Sequence, residues 1–449
     1  MKKSIISERD VPFNWRYSLS LILVFAFVLS ACGPVAETEA PTVEATEAPT
    51  EEATAAPTEA PTEAATEAAT EVATEVATEA PTATCPNENG TVFFFAPAEL
   101  SGAGSTVGNN WKDGATIAIE EINAGGGLLG CQIDVEWVDT QSDPATSKAV
   151  IAEGLEKNPY VVLGPLFSGS IIVNMVEAQR AEVFQIMGGE AANLTQQGNP
   201  YIFRTSFGQS TSMPKLAAYL NSQGFKSIDI VYTNNDFGQG GREAIKVAIE
   251  PLGIQVVNEI SVEEGQADFA PEALTLIGSD ADAVFIYSNE EESARLLQEL
   301  QNQGNEKPLI GETVLIAQSV IDLAGDAANG AKGHVGLSAA APMPLVEEYA
   351  AKFEERYGHL PDHNGMKGYI AVYVIKAITE RLGTFDTKAL AEATHCTTIT
   401  TEEEPGVLID IVYDEKGDVD RESFLVEVVD GLSTVTEVLP RVGGSCGEK

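Results

Sequence analysis

Ser168, Gly169 and Ser170 are the residues whose types and position most directly promise chemistry. They lie in VVLGPLFSGSII at 161–172, where a short apolar strand meets a Gly-Pro turn and then the start of a helix. Small hydroxyl residues there leave backbone N–H groups unpaired at the positive end of the helix dipole, an arrangement that suits a carboxylate or a similar oxygen. Taken alone, Ser168 reads more simply as an N-cap than as a ligand contact.

Signals for catalysis fail in detail. Gly102-Ala-Gly104 lies between a strand and a helix, and Asp139 ends the next strand, as in a dinucleotide fingerprint. Residues 97–101 separate that strand from the glycines, however, and the third glycine is displaced to Gly108. Gly238-Gln-Gly240-Gly241 also lacks its third glycine, with Glu243 in that place. His359 and His363 are four apart, but Pro361 between them argues for a turn and against a metal-binding helix face. Neither a G-x-S-x-G elbow nor a P-loop is present. No cofactor, no metal and no enzyme activity are expected.

The N-terminus reads as an export signal. Lys2, Lys3, Arg9 and Arg16 precede an apolar run over 19–29, too short for a comfortable membrane span, and the run ends in Leu29-Ser30-Ala31-Cys32. That ending resembles the bacterial lipobox, which implies that Cys32 is lipid-modified and anchors the mature chain to the membrane. From 33 to 84 the chain repeats Thr, Glu, Ala and Pro, with 12 Glu and neither Lys nor Arg. Such a segment buries too little apolar surface to offset its ordering entropy and should be an extended, self-repelling tether.

Charge and cysteines narrow the rest. Of 68 acidic and 26 basic residues, 14 and 4 precede position 85, so the remainder carries a net charge of −32. Nucleic acid is excluded as a partner. Cys85, Cys131, Cys396 and Cys446 allow three disulfide connectivities in an exported chain. Cys85 precedes the first strand and Cys131 starts the second; neighbouring strand starts in a parallel sheet favour Cys85 with Cys131, leaving Cys396 with Cys446.

The elements that must position these residues alternate. Strands are expected at 92–96, 133–138, 160–163, 183–187, 201–204, 227–232, 254–260, 283–287 and 309–311, and helices at 111–123, 145–157, 170–180, 212–222, 238–250, 271–277 and 290–303. Further helices follow Leu345, Gly365 and Thr387, and a strand pair is expected at 407–413 and 423–429. This alternation specifies an α/β fold with doubly wound parallel sheets, and the length calls for two of them.

At this point an ordered set of motifs supports a family resemblance. GATIAIEEINAGGGLLG at 114–130, Asp139, Ser142-Asp-Pro144, Gly164-Pro165, Ser168-Gly169-Ser170, Leu194-Thr195, Pro200-Tyr-Ile-Phe-Arg-Thr205 and Asn235-Asp-Phe-Gly238 together resemble the substrate-binding proteins of ABC importers for branched-chain amino acids and related amides. The resemblance implies a periplasmic binding protein of type I: two doubly wound lobes joined by a three-crossing hinge, with a small-molecule solute in the cleft and an ABC transporter permease as partner. Lobe 1 is expected at 85–206 plus 339–410 and lobe 2 at 207–338 plus 411–449, with crossings near 204–207, 333–338 and 409–414.

Carried onto this sequence, the resemblance places Ser168 and Gly169 at a ligand carboxylate, and Gly188 and Glu190 in the next cleft loop. Phe237 becomes an aromatic wall, Asn289 or Glu290 follows a strand at the cleft edge, and Glu312 faces a ligand ammonium. Glu190 departs from the Ser or Thr common there in relatives, and Val107 replaces a larger residue. Glu190, Glu290 and Glu312 together would make an electronegative pocket, although Glu290, Glu291 and Glu292 are also an ordinary acidic first turn. An amino acid is the expected solute. An amide, urea or amine ligand, or a sensor role for a membrane receptor, remains open.

Overall fold

The computed structural model describes residues 84–441 and Cys446. The signal at 1–32 with its Cys32, and the tether at 33–83, lie outside the described residues.

The chain first builds β1 (Thr91–Ala98), α1 (Ser105–Ala124), β2 (Gln132–Asp139), α2 (Pro144–Leu155), β3 (Val161–Leu163), α3 (Ser168–Ala181), β4 (Phe184–Met187), α4 (Asn193–Gln196) and β5 (Ile202–Arg204). These strands form one parallel sheet in the order β2-β1-β3-β4-β5. β3 and β4 are buried at every position, as strands covered on both faces must be.

A second alternation follows: α5 (Gln209–Ser222), β6 (Ser227–Thr233), α6 (Asp236–Ile249), β7 (Gln255–Val262), α7 (Ala270–Gly278), β8 (Ala283–Tyr287), α8 (Glu290–Asn302), β9 (Leu309–Glu312), α9 (Gln318–Ala324) and β10 (Lys332–Val335). The chain then returns to the first sheet with α10 (Pro344–Tyr357), α11 (His363–Leu382) and α12 (Thr387–Thr394). β11 (Thr398–Ile399), β12 (Ile411–Tyr413) and β13 (Val419–Asp420) make a small antiparallel sheet, and β14 (Ser423–Val429) and β15 (Leu432–Leu439) finish the second large one. Its order is β15-β14-β10-β9-β8-β6-β7, with β14 and β15 antiparallel additions to a parallel core.

α11 is seated against α1 by two glycines. A Cβ on Gly114 would lie 1.8 Å from the Gly365 carbonyl oxygen, and one on Gly368 would lie 2.1 Å from that of Trp111, so no larger residue permits this crossing. The close approach brings the first turns of α11 to the space between the lobes.

Two expectations change. β12 pairs with β11, and β14 with β10 and β15, so the segments at 407–413 and 423–429 do not form a pair. Alternating apolar residues mark a strand but leave its partner open. The third crossing lies at 421–422, later than 409–414, and residues 411–420 pack on the first lobe. There the Arg204 N–H donates to Gly417 O at 3.1 Å and the Tyr413 hydroxyl to Arg204 O at 2.8 Å. Cys85 is bonded to Cys131 and Cys396 to Cys446.

Buried Arg204 ties this region together. Its Nε pairs with Asp418, while Nη1 donates to Gly189 O at 2.5 Å and Nη2 to Ala191 O at 2.6 Å. Asp418 also accepts from Thr195 Oγ1 at 2.8 Å. Replacing Arg204 by Met strands the Asp418 carboxylate and two carbonyls without their donor. Arg204→Met should cost about 3–5 kcal/mol of stability, read as a lower midpoint in denaturant unfolding.

Candidate functional site

A cavity of about 200 Å³ lies between the lobes. The first turns of α3, α6 and α8 all reach its wall, so three helix N-termini converge there, that of α6 capped by Asn235, which accepts from Gly238 N at 2.9 Å. Ser168, Gly169, Gly188, Glu190, Phe237, Asn289 and Glu290 all line it, as does Val107.

On the first lobe, the loop before α3 is held by Glu99, which is fully buried and accepts from the N–H groups of Leu166 and Phe167 at 3.1 Å each. Burial pushes its carboxyl above the usual range, against those two bonds. Phe167, not Ser168, is the N-cap of α3. The Ser168 hydroxyl accepts from Ala191 N at 3.3 Å, which joins α3 to the loop after β4 and leaves its own proton to donate.

That loop carries Glu190, and α11 supplies Lys367 to meet it. Lys367 Nζ lies 2.8 Å from Glu190 Oε1 and 3.1 Å from Gly188 O, with both side chains almost wholly buried. Burial raises the Glu190 carboxyl, Lys367 opposes this, and Glu312 adds to it. Lys367 is the main cleft residue that the sequence reading missed. The available signal was one lysine on a helix whose neighbouring positions Met366, Ile370 and Ala371 are apolar and buried. His363 and Asn364, from the same helix start, also line the cavity.

On the second lobe, Phe237 stacks on Tyr287 with ring centroids 4.3 Å apart. Gln209 Nε2 donates to Phe237 O at 2.8 Å, and its Oε1 accepts from Ala192 N of the first lobe at 3.1 Å. Asp236 approaches the first turn of α3 across the cleft; its Oδ2 lies 3.4 Å from where a Cβ on Gly169 would sit.

The three glutamates that open α8 separate by role. Glu291 pairs with Arg295 at 2.9 Å, and Glu292 accepts from Gly265 N at 2.7 Å. Glu290 is 8% exposed, lines the cavity and has no ion-pair partner among the described residues. Burial pushes its carboxyl up to about 7, with Asp362 and Glu190 adding to the rise and Lys367 opposing it.

Glu312 does not line the cleft, contrary to expectation. At the end of β9 its carboxylate turns back to accept from Thr313 N at 2.7 Å and lies 3.4 Å from Nδ1 of buried His334. Burial raises Glu312 to about 7 and lowers His334 to about 3, so His334 stays neutral at ordinary pH. The backbone direction leaving β9 turns this side chain behind the cavity wall, where its carboxyl meets that of Glu190, a direction that its position after Gly311 does not reveal.

Residues 97–432 match the periplasmic binding protein family. A Leu/Ile/Val-binding protein of Rhizobium johnstonii is 26% identical over 342 residues, covering 74% of this chain and 90% of its own length. Two solved structures share the fold. The branched-chain amino acid transporter substrate binding protein of Streptococcus pneumoniae in complex with isoleucine superposes with a TM-score of 0.71 at 20% identity, covering 78% of this chain and 99% of that one. A solute binding protein of an ABC transporter from Rhodopseudomonas palustris in complex with 3,4-dihydroxybenzoic acid gives 0.72 at 21% identity, covering 79% and 98%. With two doubly wound lobes, a three-crossing hinge and a cleft walled by helix N-termini, this chain belongs to the periplasmic binding protein family.

Proposed function

We propose that the protein captures a small amino acid between its lobes and delivers it to the permease of an ABC importer, held outside the membrane by a lipid on Cys32. Glu290 carries this reading: a buried, unpaired carboxylate in a cleft is costly unless a cation completes it, and a ligand ammonium does so. The N–H groups opening α3, with the Ser168 hydroxyl, take the carboxylate. A ligand that contacts both lobes stabilises the shut form, which the permease then recognises. Aromatic acids such as the one bound by the Rhodopseudomonas protein offer no cation to Glu290.

No helix among the described residues is long and apolar enough to cross a membrane. Incorporation of labelled palmitate into the expressed chain, lost on Cys32→Ala, tests the anchor.

A thermal-shift screen against amino acids, amides, amines and aromatic acids tests the ligand class. A ligand at about a hundred times its Kd should stabilise by about 2.7 kcal/mol, a shift of a few degrees. Stabilisation by aromatic acids alone would refute the reading. By calorimetry, Glu290→Gln should weaken amino-acid binding by about ten- to a hundredfold, the worth of a buried charge-assisted bond. The ligand cation binds ionised Glu290, so affinity should climb as pH rises from 5 toward 7, by up to about tenfold per unit, and level off above. That slope should vanish in Glu290→Gln.

A further inference from the structure

Arg421, in the third crossing, is a buried cation without an anion. It is 1% exposed; its Nη2 donates to Thr205 O of the first crossing at 2.6 Å, and its guanidinium lies 5.8 Å from the centroid of the Phe207 ring. Nε and Nη1 have no hydrogen-bond partner, and no carboxylate among the described residues forms an ion pair with this side chain. Burial lowers the guanidinium to about 10, so it keeps its charge at ordinary pH. A buried cation in that state is costly until an anion meets it.

Space for one adjoins it. Arg421 lines a second cavity, of about 510 Å³, which shares no lining residue with the cleft. Arg441, Asp410 and Glu422 also line it, but these three are exposed, where water screens them. Asp410 is further committed, accepting from Thr401 N at 2.7 Å and from Thr401 Oγ1 at 2.9 Å. One negative charge therefore balances Arg421, whereas a second would face the carboxylates of Asp410 and Glu422. Leu345 and Leu408 give the cavity an apolar side that a bare inorganic ion leaves unused. Leu408 sits at φ 62° and ψ −36°, in a γ-turn closed by Ile409 N donating to Val407 O at 2.7 Å. That conformation is rare and strained for a side chain of this size, and such strain gathers where ligands are held. We propose that the hinge carries a second ligand site, which takes a small monocarboxylate with an apolar tail, the carboxylate on Arg421 and the tail along Leu345 and Leu408.

Calorimetry with the purified chain tests it, with hexanoate as the probe and chloride and phosphate as inorganic anions at constant ionic strength. Hexanoate should bind the natural protein. Arg421→Met removes the cation and Leu345→Trp fills the cavity, and each should weaken hexanoate binding at least about tenfold, the worth of a hydrogen bond to a charged group. Failure of hexanoate to bind, or an affinity unchanged in either variant, overturns the proposal. Chloride or phosphate binding as tightly as hexanoate, and lost in Arg421→Met, overturns the carboxylate class. If one variant does not fold, the other decides.

Discussion

Arg204 is the interaction on which the cleft depends. A guanidinium with no exposure must find acceptors for its donors, and here they come from Asp418 beyond β12 and from the carbonyls of Gly189 and Ala191 that flank Glu190. The loop that bears Glu190 thus takes its shape from an ion pair at its back. Because Asp418 sits shortly before the last crossing, the same pair fixes where the chain leaves the first lobe.

The front of that loop is set by a second buried pair. Lys367 reaches Glu190 only because Gly114 and Gly368 let α1 and α11 approach closely. Two buried ions survive in the interior when each is matched and hydrogen-bonded, and removing either is far worse than removing both. In the cleft Lys367 offsets Glu190 within the first lobe, while Glu290 comes from the second with no ion-pair partner among the described residues.

Helix geometry accounts for the convergence of polar groups. In each lobe the core strands run parallel and their C-terminal ends lead into helices whose N-termini face the same gap, where α/β folds place ligands. Gln209 then spans the lobes, from Ala192 N to Phe237 O, and sets the aromatic wall at a defined distance from the loop of Glu190. Phe237 is stacked on Tyr287 at its back.

Local pattern determined much of this protein. Apolar runs such as VVL in β3 and AVFIY in β8 are strands whatever surrounds them, and Ser168, Phe237 and Glu290 follow strand ends that must open on the cleft of a doubly wound fold. What tertiary structure alone decided was pairing and direction. β12 chose β11 over β14 because period-2 alternation carries no address for its partner. Glu312 turned back on Thr313, off the cavity surface, because side-chain direction at a strand end depends on the turn that follows. Lys367, more than a hundred residues from Glu190 in sequence, became its partner only through the glycine crossing of α1 and α11: a buried charge shows in sequence, but the group that neutralises it comes from packing.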